Sequence, residues 1–150
     1  MNESLGLIIK VVDSFGFLCE NYSLDLVHYS YDRRSYSNFL MYFEGNELLL
    51  RLTLEKGQLY IHVASPLLAE EWHSLHRVLR VATRHGGELT AEEQNCDYWR
   101  LGRGLESQFS LAARQLNRVV PHIVNLFRAK DFDTVRQELK SYARPRLGDA

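Results

Sequence analysis

Residues 24–64 read LDLVHYSYDRRSYSNFLMYFEGNELLLRLTLEKGQLYIHVA, and this stretch decides the fold. Two runs within it, 48–55 and 59–64, place leucine, isoleucine or valine at every second position. A period of two is typical of a strand that buries one face and leaves the other partly exposed. The stretch therefore predicts antiparallel strands joined by short turns.

A tight turn at Lys56-Gly57 lies between these two runs, and glycine suits the positive φ of a two-residue hairpin loop. The loop predicts four pairs: Glu55 with Gln58, Leu54 with Leu59, Leu52 with Ile61, and Leu50 with Val63. Every apolar pair then lies on the same face, so the turn and the alternation agree.

A second turn at Gly45-Asn46 lies one hairpin upstream. A two-residue loop there predicts the pairs Glu44 with Glu47, Phe43 with Leu48, Met41 with Leu50, and Phe39 with Leu52. Both hairpins place their apolar residues on one core face. A slip of one residue would turn the leucines toward water, so the choice of face is strongly determined.

The first strand depends on the length of the loop that follows it, around Asp32 to Ser35. A loop of two or four residues pairs Tyr31 with Tyr36. That register places Leu24, Leu26 and His28 on the core face and Val27, Tyr29 and Tyr31 on the opposite face. A loop of three or five residues would exchange the two faces.

The second face of this sheet is rich in tyrosine. On the favoured register it carries Tyr29, Tyr31, Tyr36, Leu40, Tyr42, Leu49, Arg51, Tyr60 and His62. Tyrosine and arginine are enriched at protein interfaces, although tyrosine also prefers strands and a helix could cover part of the face. We expect the contact residues of a binding surface to be Tyr29, Tyr31, Tyr42, Arg51 and Tyr60.

Helical periodicity surrounds the meander. Residues 3–21 predict an N-terminal helix, and Ser65-Pro66 predicts the start of another that runs to Gly86. Residues 105–129, with Pro121 inside, and 131–143 predict two more, whereas 86–104 fit either a loop or an edge element. The fold class is therefore α+β, a single domain over 1–150: an N-terminal helix, a four-stranded antiparallel meander and three C-terminal helices.

The composition is ordinary for a globular protein, with 45% hydrophobic and 25% charged residues. Two cysteines form no disulfide or metal pattern, the N-terminus lacks the basic start of a signal peptide, and no apolar run approaches a membrane span. We therefore expect a cytoplasmic protein without membrane contact. Residues 1–99 hold 8 Lys/Arg and 14 Asp/Glu, a balance of −6, and 100–150 hold 10 and 5, a balance of +5. This asymmetry suits a charged protein partner.

Residues with catalytic or metal-binding chemistry are sparse. If residues 70–76 are helical, Glu70-x-x-His73-x-x-His76 brings a carboxylate and two imidazoles near one another, as a zinc or iron site requires. Arg33-Arg34 between Tyr31 and Tyr36 resembles a single-strand nucleic-acid platform, but nearby carboxylates oppose a phosphate backbone. We expect no enzyme activity and no cofactor, and we regard nucleic acid as an unsuitable partner.

One run at the junction of helix and sheet carries a family resemblance. Residues 17–24, FLCENYSL, followed by Val27-His28-Tyr29-Ser30, resemble the helix-to-strand junction of many small bacterial proteins, with Ser23 in the place of glycine and Leu24 in the place of phenylalanine. Many of those are immunity proteins of polymorphic-toxin systems. The resemblance covers about residues 5–63 and implies a cytoplasmic inhibitor that binds a toxin domain and has no chemistry of its own.

These observations predict a protein-binding module, in its specific form an immunity-type inhibitor that docks a toxin or effector domain. Two alternatives stay open. The tyrosine face could serve self-association in a homo-oligomeric structural or chaperone-like module. Glu70, His73 and His76 could instead belong to a metal-dependent enzyme.

Overall fold

The computed structural model describes residues 3–32, 38–86, 89–90, 104–130 and 132–143. Its helices are α1 (Glu3–Phe15), α2 (Phe17–Tyr22), α3 (Leu75–Arg84), α4 (Leu105–Arg128) and α5 (Phe132–Ala143). Its strands are β1 (Asp25–Asp32), β2 (Asn38–Glu44), β3 (Leu49–Glu55), β4 (Gln58–Ala64) and β5 (His73–Ser74). A 3-10 turn covers Pro66–Leu68. The undecided segment 86–104 lies, apart from Gly86, 89–90 and Gly104, outside the described residues.

The strands form one antiparallel sheet in the order β1-β2-β3-β4-β5. The α+β class is confirmed, and β5 adds a short fifth strand to the predicted meander of four. Within the described residues no helix is both long enough and apolar enough to cross a bilayer.

The β3–β4 hairpin has the predicted register, including Leu54 opposite Leu59 and Leu50 opposite Val63. Lys56 and Gly57 both have positive φ, 51° and 78°. Two consecutive residues with positive φ are typical of the type I′ turn, whose twist matches that of the strands it joins. The short turn leaves no freedom in length, which is why this register could be read from the sequence.

The β2–β3 hairpin keeps the predicted face, but its predicted register is wrong by two residues. Phe43 lies opposite Leu50 instead of Leu48, and Met41 lies opposite Leu52 instead of Leu50. The reason is a longer turn, in which the Gly45 N–H donates to the carbonyl of Leu48 at 3.0 Å. Because side chains alternate with a period of two, a shift of two residues leaves the apolar set on the core face.

The prediction that Tyr29 and Tyr31 lie on the outer face is wrong. Five residues separate Asp32 from its partner Asn38, and a bulge interrupts the ladder between Leu26 and His28. The extra residue at the bulge reverses the direction of every later side chain. Tyr29 and Tyr31 therefore lie opposite Met41 and Phe39 on the core side, as in the exchanged arrangement left open by the sequence. Before the bulge the favoured arrangement holds, because Leu26 lies opposite Phe43 and Leu24 is buried. Tyr36 lies outside the described residues.

The N-terminal helix is divided at Gly16 into α1 and α2. A Cβ at Gly16 would lie 2.8 Å from the carbonyl oxygen of Val12, one turn earlier, so the tight backbone at the junction of α1 and α2 favours glycine. Ser23, with φ of 55°, ends α2 in the left-handed conformation that commonly terminates helices. The chain then enters β1 with Leu24 buried.

The predicted helix from Ser65 to Gly86 is wrong over nearly half of its length, up to Ser74. Ser65 caps only the 3-10 turn, accepting from the Leu67 N–H at 3.3 Å. His73 and Ser74 then pair with β4, and α3 starts at Leu75 with Ser74 as its N-cap. Ser65 and Ser74 are both suitable N-cap residues. The helix begins after Ser74 because the residues before it pair with the edge of β4.

The five helices of the described residues all contribute to the side of the sheet that buries its leucines. The core joins the inner residues of β2, β3 and β4 to apolar residues of α1, α3, α4 and α5. Gln108 of α4 is 1% exposed and binds the β3–β4 hairpin, because its Oε1 accepts from the Leu59 N–H at 3.0 Å and its Nε2 donates to the Gly57 carbonyl at 2.8 Å. The core side of the sheet is thereby covered, and the site described next lies on the other side.

Candidate functional site

One register row crosses the outer face of all five strands. The ladder pairs His28 with Tyr42, Tyr42 with Arg51, Arg51 with His62, and His62 with Ser74. Side chains in one row are direct cross-strand neighbours, with Cβ atoms about 4.5–5.5 Å apart. The sheet therefore lines up two imidazoles, a phenol and a guanidinium in a single line.

Trp72 covers the middle of this row. Its ring centroid lies 5.8 Å from that of Tyr42, and the Arg51 Cζ lies 4.8 Å from the Trp72 ring centroid. The His28 and Tyr42 ring centroids are 5.6 Å apart. We call His28, Tyr42, Arg51 and Trp72 the outer patch. Tyr42, Arg51 and Trp72 are partly buried and His28 is exposed.

The short strand β5 places Trp72 on the outer face. His73 and Ser74 pair with Val63 and His62, so His73 points toward the core and its two neighbours point outward. His73 is accordingly only 8% exposed. Trp72 enters from the edge of the sheet, and its ring reaches across to Arg51 on β3.

Two further rows flank the outer patch. On one side Asp25 lies directly opposite Glu44, both exposed, so two like charges face each other at this end of the sheet. On the other side Thr53 pairs with Tyr60, whose hydroxyl lies 2.9 Å from the Gln58 Oε1. The face thus carries an acidic end, an aromatic and basic centre, and a more neutral end.

Of the predicted contact residues, Tyr42, Arg51 and Tyr60 lie on one face as expected, and Tyr29 and Tyr31 lie on the other. The hydroxyls of Tyr29 and Tyr31 are buried without a hydrogen-bond partner among the described residues. Burial, with a smaller contribution from Tyr31, raises the pKa of Tyr29. These two phenols belong to the edge of the core, where their apolar rings pack.

Sequence reasoning missed His28 and Trp72. His28 was assigned to the core because nothing in the local sequence marks the bulge before it. Trp72 lies within the helix predicted from Ser65 to Gly86, and its spacing from Leu75 and Leu79 fits one face of such a helix. The competing signal, the alternation from Trp72 to Ser74, is only three residues long and carries little weight on its own.

The metal-binding alternative requires residues 70–76 to form one helix, and they do not. Glu70 precedes β5, His73 lies in it, and only His76 lies on α3, so the three are not spaced along one helix. No group of three His, Cys, Asp or Glu side chains among the described residues is placed to hold a metal ion. The imidazole of His73 is instead packed inward, and burial lowers its pKa.

A groove of about 480 Å³ lies elsewhere, between the α2–β1 junction, the β2–β3 turn and α4 near Pro121. Glu47 and Arg128 line its mouth and form an ion pair with each other. Its charged groups are therefore already neutralised, in contrast to Arg51 in the outer patch.

The chain matches no protein-family model, and comparisons with the curated proteins and with the solved structures gave no match either.

Proposed function

We propose that this chain is a protein-binding module that docks a partner on the outer face of its sheet, and that the partner is a toxin or effector domain blocked by an immunity-type inhibitor. The outer patch carries the proposal. It brings a tryptophan, a tyrosine and an arginine into contact on a surface that the described helices leave uncovered.

The residue types support a docking surface. Tryptophan, tyrosine and arginine are the residues that most often dominate the free energy of binding at protein interfaces, and they do so from the centre of the buried area. Tyr42 and Arg51 lie on β2 and β3, in the inner part of the sheet, where the backbone is held on both sides. A rigid support of this kind lowers the entropy lost on binding.

The inhibitory role is supported by the resemblance at the α2–β1 junction and by the character of the site. An inhibitor acts by covering its target, so it needs contact area and complementary charge but no catalytic groups. The outer patch supplies aromatic contact area, and the exposed carboxylates of Asp25 and Glu44 supply negative charge at its rim.

A binding experiment with the product of the neighbouring gene tests the proposal, because an immunity gene lies beside its toxin gene. We expect Tyr42→Ala to weaken the complex by about 2 kcal/mol or more, roughly thirtyfold in Kd, as for a central interface residue. Leu67→Ala is the matched control, since Leu67 is 84% exposed and lies outside the outer patch.

Both variants would first be compared with the natural protein by thermal unfolding, so that loss of binding is not loss of fold. Co-expression with the toxin gives the biological reading: Tyr42→Ala should fail to protect the cell and Leu67→Ala should protect it. Equal affinity of the two variants for the partner would contradict docking on the outer face.

Self-association is the second candidate, and the edge strand β1 favours it. Leu26 and Val27 are 43% and 55% exposed there, and an edge strand offers unpaired backbone groups to another chain. The bulge between Leu26 and His28 interrupts that edge, which is how natural edge strands avoid such pairing. Light scattering at two concentrations distinguishes the candidates: a mass that doubles with concentration supports self-association.

A further inference from the structure

Arg51 stands out because its guanidinium has no polar partner in the described part of the chain. The guanidinium instead makes a cation–π contact there, with the Arg51 Cζ 4.8 Å from the Trp72 ring centroid. An arginine side chain carries several N–H donors in a planar fork, and a partly buried one ordinarily uses them. The donors of Arg51 are therefore available to an acceptor from outside.

The stacked geometry preserves this capacity. A guanidinium on an aromatic face is held by the ring through its π surface, while the N–H groups at its edge stay free to bind. The Trp72 ring lies 4.8 Å from the Arg51 Cζ, and Tyr42 is the cross-strand neighbour of Arg51, so both aromatic residues restrict where the guanidinium can lie before any ligand arrives. Such a fixed fork is the geometry that binds both oxygens of a carboxylate or two of a phosphate.

Glu44, an acidic residue in the adjacent row of the outer face, does not satisfy Arg51. Glu44 pairs with Leu49, one row from the pair of Tyr42 and Arg51, so it is a diagonal neighbour at about 7–8 Å. Yet it forms no ion pair with Arg51 among those the structure shows.

We propose that Arg51, oriented by Trp72, is the receptor for a carboxylate that the partner protein presents, an aspartate or glutamate side chain, which it binds through two parallel hydrogen bonds. This inference rests on the proposed function and specifies the chemistry of the same site. Tyr42 and Trp72 then cover the apolar stem of the acidic side chain. A phosphate backbone fits less well, because its repeated charge would pass close to Asp25 and Glu44.

A small-molecule titration tests the inference without the partner. The probe is N-acetyl-glutamate amide, which carries a single carboxylate, and the control probe is the neutral N-acetyl-glutamine amide. In NMR spectra of the full ¹⁵N-labelled chain, we expect the Arg51 Nε–H and the Trp72 indole N–H to shift together and saturably with the carboxylate only. Arg51→Gln assigns the signal and should abolish the shift at Trp72.

Three results would overturn the inference. They are equal shifts with the neutral amide, no response at Arg51 up to the solubility limit of the probe, and a response to phenyl phosphate without one to the carboxylate. The last would instead indicate a phosphate-bearing partner.

Affinity measurements on the complex with the partner distinguish this inference from the proposed function. With the partner bound, we expect Arg51→Gln to raise Kd about ten- to a hundredfold and Arg51→Lys to recover part of the loss, because lysine restores the charge but not the fork. Arg114→Gln on α4 removes the same charge at an exposed position away from the sheet face and should change little. If Tyr42→Ala weakens the complex and Arg51→Gln does not, the carboxylate inference fails and the docking face stands; if neither does, both fail.

Discussion

The carboxylate of Glu71 fastens the segment before β5 to helix α5. It receives hydrogen bonds from Arg136, with the Nε 2.9 Å from Oε2 and the Nη2 2.5 Å from Oε1, and the Lys140 Nζ lies 3.3 Å from Oε1. The hydrogen bonds from Arg136, with those from Lys140, lower the pKa of Glu71 to about 2 against a partial cost of burial. Glu71 lies next to Trp72, so this contact also helps to place the ring of the outer patch.

Removing the charge of Glu71 should therefore reduce stability in a pH-dependent way. Because the pKa is lower in the folded state, the stabilisation is present above about pH 4.5 and is lost as the pH falls toward 2. We expect Glu71→Gln to lower the free energy of unfolding at pH 7 by about 1–2 kcal/mol, less than the pKa shift alone implies because solvent screens this partly exposed pair. Urea unfolding at pH 7 and pH 2.5 measures it; a loss of equal size at both pH values would contradict the assignment.

His73 should give a separate dependence at higher pH. Burial lowers its pKa, Arg77 and Lys140 lower it further, and Glu71 opposes them. The unfolded chain then binds a proton more readily, so stability is lost as the pH falls below the unfolded pKa of about 6.5. Urea unfolding between pH 7.5 and 5.5 should show a decline in the free energy of unfolding for the natural protein that is smaller in His73→Gln. If the free energy of unfolding changes with pH equally in the natural protein and in His73→Gln, His73 is not the source of the decline.

At the scale of elements, helix α4 continues through Pro121 because another element satisfies the backbone group that proline leaves free. A proline lacks the N–H that would bind the carbonyl four residues earlier, here that of Asn117. The hydroxyl of Tyr22, in α2, donates to that carbonyl at 2.7 Å and lies 3.0 Å from the Asn117 Oδ1. The two helices are thus joined at the point where α4 has no backbone N–H for the Asn117 carbonyl.

A double-mutant cycle should detect this coupling. Tyr22→Phe should cost about 1 kcal/mol in the natural background, since the Asn117 carbonyl loses its donor. In Pro121→Ala the alanine N–H can bind that carbonyl, so we expect the cost of Tyr22→Phe to fall to a few tenths of a kcal/mol. Thermal or urea unfolding of the four proteins gives the coupling, and strictly additive effects would show that the hydroxyl serves another purpose.

Much of the sheet could be predicted where one short turn fixes the geometry. The turn at Lys56-Gly57 determined the β3–β4 register, whereas the longer turn at 45–48 preserved only the face. The face of β1 could not be predicted, because the bulge at Val27 depends on pairing with β2. Arg51 and Tyr42 were therefore identified from alternation alone, but His28 and Trp72 required long-range contacts of the sheet.

At the scale of the whole molecule, the described helices and the inner residues of the sheet share one core, and the outer face retains the aromatic and basic row. The sheet thus separates two tasks. Its leucine side lies in the buried core, and its outer side carries the partly exposed aromatic and basic row. Substitutions in the outer patch should therefore affect binding more than unfolding.

Side-chain footprinting of the complex tests the docking face most directly. With hydroxyl-radical labelling of the protein alone and bound to the product of the neighbouring gene, we expect labelling of His28, Tyr42 and Trp72 to fall severalfold in the complex. Labelling of Leu67 and of Val12 on α1, both exposed, should stay constant. Unchanged labelling of Tyr42 and Trp72, with protection confined to the helices, would contradict the account.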